Sequence, residues 1–473
     1  MRRARPDPQL SRISRLSAAG EVLPLGRYSV EPSRHLALVL RDLVRPAGRH
    51  FFQGSLRLSF LGDTGTLQAW VVVRRGRQAI EISCQAPSEV AGSELTAFWD
   101  SSGLPGRPAV YLLNAGNRNV RYNMASGGQP GSVLVSTTIA PGERHRITPP
   151  TAETRGWVRV RHDGDPGSLI ATAMVEGPKH LSGAGLVHGT VEVATEFEVV
   201  RVPLDRGQAD GSAQAVVTLF NASTELNRAT VTVVSAVTGQ TLDEVTRSLK
   251  PREVLSLRLS PPRLAHSLDR PTVEEARVRV SAQAPGLLVA GRSVLAAGET
   301  IDHSFFPAGD AHAAGSYPVL PLEEFDVDLT LANLDPEDSQ VVAQFFWDGG
   351  AYAFGPVTIP GGTSYRLSVA DVVQRADPDV LGRTLPGQLP GGFLKWKVMS
   401  GSRRLLGRTE ARYRDSSDAF GFNCFGCCYE VPFGTIVPDF VDFEPGQSPL
   451  FEASMGTIRA VEQWGLTRSY PAR

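Results

Sequence analysis

The chain has 473 residues, a formal net charge of −1 and a hydrophobic content of 41%, which favours packed cores over a disordered chain. This near-zero net charge creates no overall field for nucleic acid or anionic membranes, so we expect neither as a partner. No apolar run approaches the roughly 18 residues that cross a bilayer, so the sequence predicts no membrane span.

The amino-terminal segment, residues 1–20, is basic and lacks the continuous apolar core of a secretory signal, so we predict a disordered arm. Residues 21–92 match only the second half of the repeating unit described below. Their alternating segment 79–84 predicts a strand. We therefore expect a partial module here, without the strands that end in asparagine elsewhere.

The clearest pattern lies in residues 214–260, where apolar residues alternate with polar ones in three successive runs. Val217 and Leu219 belong to the first run, and Val231 and Val233 to the second. Alternation with a period of two is typical of half-buried strands. Asn221 ends the first strand at a point where its side chain can satisfy the turn backbone.

The same pattern recurs along the chain at a nearly constant interval. The strand-ending asparagines are Asn114, Asn221 and Asn333, and the turn prolines, spaced by 109, 110 and 109 residues, are Pro32, Pro141, Pro251 and Pro360. Such a period is too long for a solenoid repeat and matches a β-sandwich domain of about 100 residues. The sequence therefore predicts an all-β fold of tandem β-sandwich modules with a period of about 109 residues.

This period divides the chain into a partial module, complete modules and a tail. The predicted units are a disordered basic arm (1–20), a partial module (21–92), three modules (93–191, 192–306 and 307–416) and a cysteine-containing β-rich tail (417–473). Little helix is expected. Short helical segments are predicted at one place in the module, at residues 40–45, 261–268 and 369–376.

Three cysteines in the tail form the most compact chemical motif, Cys424, Cys427 and Cys428. Two thiolates in a C-x-x-C pair can hold zinc or an iron–sulfur cluster, or form a redox disulfide. A structural zinc site needs four ligands, however, and the chain has no second C-x-x-C pair. Buried thiols or a structural disulfide are therefore the preferred interpretation, with a zinc site as the alternative.

A group of acidic residues surrounds the strand that ends at Asn333. Its members are Glu323, Glu324, Asp326, Asp328, Asp335, Glu337 and Asp338. Clusters of this kind can bind calcium at module junctions, because the ion takes six to eight oxygen ligands. The order of an EF-hand loop is absent, so charges that deter edge-to-edge strand pairing are the preferred interpretation.

Common enzyme motifs are missing from the sequence: it has no G-x-S-x-G elbow, no P-loop and no H-E-x-x-H pair. Its nine histidines show no metal spacing, and we expect them at exposed or turn positions. The Asn221-Ala222-Ser223 sequon is explained by its place in the repeat. No catalytic residues are predicted.

The strand spacing and the asparagine and proline turns over residues 21–416 resemble the tandem immunoglobulin-like and fibronectin-like β-sandwiches of bacterial surface and secreted proteins. This resemblance concerns architecture, because the immunoglobulin Cys…Trp…Cys pattern is absent. It implies an extracellular or envelope location, while the missing signal peptide leaves the cytoplasm open.

The preferred function is a non-enzymatic structural or adhesive protein that binds a protein or cell-surface partner through repeated modules. One alternative is a module array carrying a metal or redox site at the tail cysteines. A less favoured one is an accessory protein of a carbohydrate-active hydrolase. The tail, which we expect to pack on its own chain, could instead donate strands to the partial module of another copy.

Overall fold

The computed structural model describes part of the chain, and all statements below concern that part. It comprises residues 9–16, 22–30, 55–60, 70–75, 78–83, 92–101, 106–127, 133–148, 154–177, 180–183, 185–188, 194–205, 214–259, 273–294, 300–347, 350–379, 382–389, 391–414 and 419–423. Antiparallel strands dominate these residues, so the predicted all-β class is confirmed. No helix among them is both long and apolar enough to cross a membrane.

The amino-terminal strands form two small sheets, in the orders β2-β1-β3 and β4-β5. Their bounds are β1 (Gln9–Leu16), β2 (Val22–Val30), β3 (Ser55–Phe60), β4 (Trp70–Arg75) and β5 (Gln78–Ser83). The predicted disordered arm is therefore wrong for residues 9–16. Strand β1 pairs with β2 on one side and β3 on the other, and this pairing satisfies its backbone groups.

The next nine strands form the first sheet pair, with orders β10-β7-β12-β13 and β14-β6-β11-β8-β9. Their bounds are β6 (Glu94–Asp100), β7 (Arg107–Asn114), β8 (Val120–Ser126), β9 (Val133–Ile139), β10 (Arg144–Ile147), β11 (Arg155–His162), β12 (Leu169–Gly177), β13 (His180–Gly183) and β14 (Gly185–His188). Fully buried residues from both sheets, such as Leu112 and Val158, share one apolar core. This arrangement is compatible with a β-sandwich.

The second sheet pair repeats this order with every strand number raised by nine. Its bounds are β15 (Glu196–Asp205), β16 (Gln214–Asn221), β17 (Asn227–Ser235), β18 (Thr241–Leu249), β19 (Val254–Leu259), β20 (Val273–Ala282), β21 (Leu287–Val294), β22 (Thr300–Ser304) and β23 (Phe306–Pro307). Because β23 pairs with β15, Pro307 belongs to this unit, one residue beyond the boundary predicted after residue 306.

The third sheet pair follows a 3-10 turn at Ala308–Asp310 and has orders β24-β29-β26-β27 and β28-β25-β30-β31. Its bounds are β24 (Ala314–Val319), β25 (Phe325–Asn333), β26 (Ser339–Trp347), β27 (Gly350–Ile359), β28 (Ser364–Ser368), helix α1 (Val369–Arg375), β29 (Gly392–Gly401), β30 (Leu405–Tyr413) and β31 (Ala419–Asn423). Strand β31 lies in the predicted tail and pairs with β30. The own-chain packing expected of the tail is therefore confirmed for residues 419–423.

Helix α1 confirms the helix predicted at residues 369–376. Ser368 caps its amino end by accepting a hydrogen bond from the Asp371 N–H at 3.2 Å. Ala376 ends it in the left-handed conformation, and Val369 and Val372 face the core. The helices predicted at residues 40–45 and 261–268 lie outside the described residues.

The strand-ending asparagines are fully buried and make the same set of hydrogen bonds in all three sheet pairs. In the first pair, Asn114 Nδ2 donates to the carbonyls of Arg118 and Ile139, and its Oδ1 accepts from the Gly116 N–H. The counterparts at Asn221 and Asn333 bond at the same relative positions. The expected turn role of these side chains is therefore confirmed, and it also accounts for the sequon at Asn221.

The proline turns agree in two sheet pairs and differ by one residue in the third. Pro141 and Pro251 follow the residues whose carbonyls accept the turn hydrogen bond, Ala140 and Lys250. In the third pair, Pro360 itself supplies that carbonyl, to the Thr363 N–H at 3.1 Å. The predicted equivalence of Pro360 with the other two prolines is thus wrong by one position.

Successive sheet pairs pack against one another through the outer face of one sheet. At the first junction, Phe98 and Trp157 of the first pair stack on Phe220 of the second, with ring centroids 5.7 and 5.9 Å away. Ala222 and Leu288 complete this apolar cluster. The contact is buried, so these two units are joined by packing as well as by the chain.

The second junction uses the corresponding faces but is largely ionic. Arg201 of the second pair binds Glu410 of the third at 2.9 Å and Glu275 of its own pair at 2.8 Å. Arg277 lies 3.4 Å from Glu198 and donates to the carbonyl of Asn333 in the third pair at 3.1 Å. A small apolar cluster that includes Val200 and Ala332 lies beside this network.

Strands β5, β13, β22 and β31 come together in the folded chain. Strand β5 lies within 8 Å, between Cα atoms, of both β13 and β31, and β22 approaches β13 and β31 in the same way. The amino-terminal strands therefore contact the first and the third sheet pairs. Units distant in sequence are thereby neighbours in the folded chain.

Candidate functional site

The predicted site residues Cys424, Cys427 and Cys428 lie outside the described residues. Within the part of the chain that is described, no group of three or more His, Cys, Asp or Glu side chains could hold a metal ion. The cysteine prediction thus stays a prediction.

The acidic group near Asn333 is spread over the third sheet pair, and three of its seven members form ion pairs with arginines. Glu323 and Glu324 are exposed, and neither belongs to a described group of side chains that could hold a metal ion. The ion pairs are Asp326 with Arg414 (2.9 Å), Asp328 with Arg366 (2.5 Å) and Asp335 with Arg404 (3.0 Å). Three of the carboxylates are therefore held in separate ion pairs, and the described members of the group share no metal position.

A groove of about 580 Å³ opens in the first sheet pair, between strands that lie at the edges of the two sheets. Strand β9 is the edge of one sheet and β10 is the edge of the other. The residues that line the groove are Tyr122, Met124, Val135, Arg144, His145, Arg146, Ile147 and Thr148. This combination of apolar walls and a few polar groups is typical of ligand sites.

Three polar side chains form a hydrogen-bonded chain along the groove. His145 Nε2 lies 3.2 Å from Glu143 Oε1, and His145 Nδ1 lies 2.9 Å from the Tyr122 hydroxyl. Because a carboxylate can only accept, the imidazole proton belongs on Nε2, and Nδ1 then accepts from Tyr122. These two hydrogen bonds fix both the tautomer and the orientation of His145.

Tyr122 and Glu143, the two outer members of this hydrogen-bonded set, each keep one protonation state near neutral pH. Burial, together with the nearby Glu143 charge, raises the pKa of Tyr122 to about 12, so its phenol keeps its proton. The hydrogen bond from the Ala140 N–H lowers the pKa of Glu143, which keeps its carboxylate charged. A phenol with a raised pKa is a poor nucleophile and a stable hydrogen-bond donor.

One wall of the groove is built from arginines around Tyr111. The guanidinium of Arg144 lies 4.8 Å from the centroid of the Tyr111 ring, at cation–π distance. Arg146 binds Glu176 at 2.5 Å, and the Tyr111 hydroxyl donates to the same carboxylate at 2.7 Å. Because both guanidinium groups are already held in place, binding a ligand would cost little further side-chain entropy.

The corresponding place in the third sheet pair is filled. There, the space between β26, β27 and β28 is about 20 Å³ and is lined by apolar residues and Tyr365. Register shows that His145, Leu255 and Tyr365 occupy corresponding positions, opposite Leu112, Leu219 and Leu331. Of these two corresponding sites, the one in the first sheet pair is an open polar groove, and the one in the third is closed.

Residue patterns alone did not single out this groove. The sequence analysis expected the histidines at exposed or turn positions. His145 fits this expectation only in part, because it is half-buried. The expectation is wrong for His162 and His303, which are buried. The available signal was a difference between repeats, since a histidine replaces an apolar or aromatic residue in an otherwise alternating strand. No protein-family model matches the chain, and no curated protein is similar to it in sequence.

Proposed function

We propose that this protein is a non-enzymatic binding protein built from copies of one immunoglobulin-like β-sandwich module. The repeated strand order and the identical asparagine hydrogen bonds support copies of one module. The buried junctions support a rigid array, because separating the modules would expose the apolar cluster of the first junction to water and break the Arg201–Glu410 ion pair of the second. Such an array holds its surfaces at fixed positions for a partner.

The observation that carries the binding role is the open groove of the first sheet pair. Its counterpart in the third pair is closed by apolar packing, so the fold itself does not require an opening there. Oriented groups line it: the Tyr122 phenol, the His145 ring and the Arg144 guanidinium. A cleft with apolar walls and a few fixed polar groups suits recognition of a partner.

Methionine methyl NMR tests this proposal directly. The chain has five methionines, of which Met124 lines the groove and Met174 is buried in the same sheet pair. With ¹³C-methyl-labelled full-length protein, a mixed library of small molecules and peptides should yield members that shift the Met124 signal and leave Met174 unchanged. A library in which no member moves Met124 would overturn the groove as the binding site.

A further inference from the structure

Strand β9 forms an accessible edge beside the groove. Among the described strands it pairs only with β8 and stands at the end of its sheet. Val135 is 37% exposed, and Ser136 and Thr138 are also exposed. The register irregularity falls at the amino end of β9, so residues from Val135 to Ile139 pair regularly with β8. One row of backbone groups on this segment therefore faces away from its sheet.

The corresponding edges in the other sheet pairs carry features that oppose strand pairing. In the second pair, β18 bears Asp243, Glu244 and Arg247. In the third, β27 carries the exposed pair Gly355-Pro356 at a register irregularity. Charges, proline and bulges are the usual protection of edge strands. The sequence of β9, VLVSTTI, contains no charge, no proline and no glycine.

The charges of the groove indicate the chemistry of a complementary strand. Arg144 and Arg146 line the groove, and no carboxylate is among its described lining residues. Two carboxylates bind residues of the groove lining: Glu143 binds His145, and Glu176 binds Arg146 and offsets its charge. A partner's carboxylate would therefore be attracted at Arg144, whose guanidinium lies against the Tyr111 ring, and not at the Glu143 side of the groove. A second copy of this chain, paired through the same edge, would present the β9 sequence VLVSTTI, which has no carboxylate to meet Arg144.

We propose that β9 accepts an extended segment of a partner protein as an added antiparallel strand, with apolar residues and an acidic residue at its groove-facing positions. This rests on the proposed binding function of the groove. Backbone groups of the segment pair with the free edge of β9, and every second side chain faces the groove. Its apolar residues pack against Met124 and Val135, and a carboxylate reaches the Arg144 guanidinium.

The test begins with selection of random displayed peptides, long enough to span β9, on the full-length protein. Selected sequences should carry apolar residues and at least one acidic residue two positions apart, so that both kinds of side chain face the groove. Their synthetic versions should shift the Met124 methyl signal and slow amide hydrogen exchange in residues 135–139. Selected peptides without acidic residues, or binding that leaves β9 exchange unchanged, would overturn strand addition.

Matched variants separate the edge from the charge. V135E places a charge on the β9 edge and should weaken peptide binding by about tenfold or more. V245E places the same charge at the corresponding position of β18 and should leave binding within about twofold. R144Q should lower affinity for a glutamate-containing peptide by about tenfold, with little effect on its glutamine counterpart.

The outcomes distinguish this inference from the proposed function. If small molecules move Met124 and no peptide protects β9, strand addition fails while the groove remains a binding site. If V135E and V245E weaken binding equally, the β9 edge is not the acceptor. Unchanged thermal unfolding midpoints for the three variants exclude loss of folding as the cause of any effect.

Discussion

The two junctions between sheet pairs place different chemistry at corresponding positions. Trp157 and Arg277 each lie one residue before a core valine in matching strands, yet one stacks on Phe220 and the other donates to the Asn333 carbonyl. Packing rings gains from apolar burial and needs no partner charge. Burying an arginine is favourable only while every charge is paired. Corresponding faces of two sheet pairs can thus be buried by either kind of contact.

The largest effect should follow from breaking the ionic junction. R201M removes the cation that binds Glu410 and Glu275, and it leaves the Glu410 carboxylate buried without its closest partner. We expect a loss of about 4 kcal/mol in the free energy of unfolding. Urea unfolding of the full chain measures it.

A double variant distinguishes the value of the ion pair from the cost of an orphaned charge. R201M/E410L replaces Arg201 and its closest partner, Glu410, by apolar residues, and should recover more than half of the loss caused by R201M. A double variant no more stable than R201M would show that the pair itself contributes strongly.

The aromatic junction should give the next largest effect. W157A removes a buried ring that stacks on Phe220, and leaves a cavity between the first two sheet pairs. We expect a loss of about 3 kcal/mol in unfolding free energy, because no unpaired charge adds to the packing loss. W157F, which keeps an aromatic ring, should lose less than half as much.

The pH dependence of stability should come from the ionic junction. His303 is buried, with Arg408, Glu410 and Arg201 nearby, and burial lowers its pKa to about 3. Its neutral form is favoured in the folded state, so stability falls as pH drops below about 6.5, by roughly 1.4 kcal/mol per pH unit. The free energy of unfolding should therefore be lower at pH 5.5 than at pH 7 by about 1 to 2 kcal/mol.

H303Q is the matched test of this pH effect. In the wild type, the Ser293 hydroxyl lies 2.8 Å from His303 Nε2. The glutamine amide can keep this hydrogen bond, and it does not titrate. The stability of H303Q should therefore change little between pH 7 and pH 5.5. Should the wild-type slope persist in H303Q, other groups cause it.

The smallest effect concerns Arg252, whose side chain links the turn to the first junction. Its φ of 63° lies in the left-handed region that favours glycine, and Gly142 and Gly362 occupy the corresponding positions. Its guanidinium lies 5.8 Å from the Trp157 ring centroid. R252G should relieve the strain and lose the ring contact, so its stability should stay within about 0.5 kcal/mol of wild type.

The alanine variant separates these two contributions. R252A keeps a Cβ in the left-handed conformation and loses the ring contact, so it should be less stable than R252G by about 1 kcal/mol. Equal stabilities would show that the backbone conformation carries no cost at this turn.

Local features of the sequence predicted much of the fold. Alternation predicted strands through Val217 and Val231, which lie in β16 and β17, and the asparagine positions predicted a turn role that hydrogen bonds confirm. Strand β1 was missed because its segment is short and basic, and its place depends on pairing with β2 and β3. The one-residue offset of Pro360 was missed because two adjacent turn positions accept proline.

The sequence by itself determined which residues of each strand share a face, where the turns fall, and that the pattern repeats. Only the tertiary structure decided what covers the outer faces. Period two separates the two faces of a strand but does not say whether the second meets water or another sheet pair. Trp157, Arg277 and His145 therefore look like ordinary outer-face or edge residues in the sequence. Their environments are set by strands that are distant along the chain.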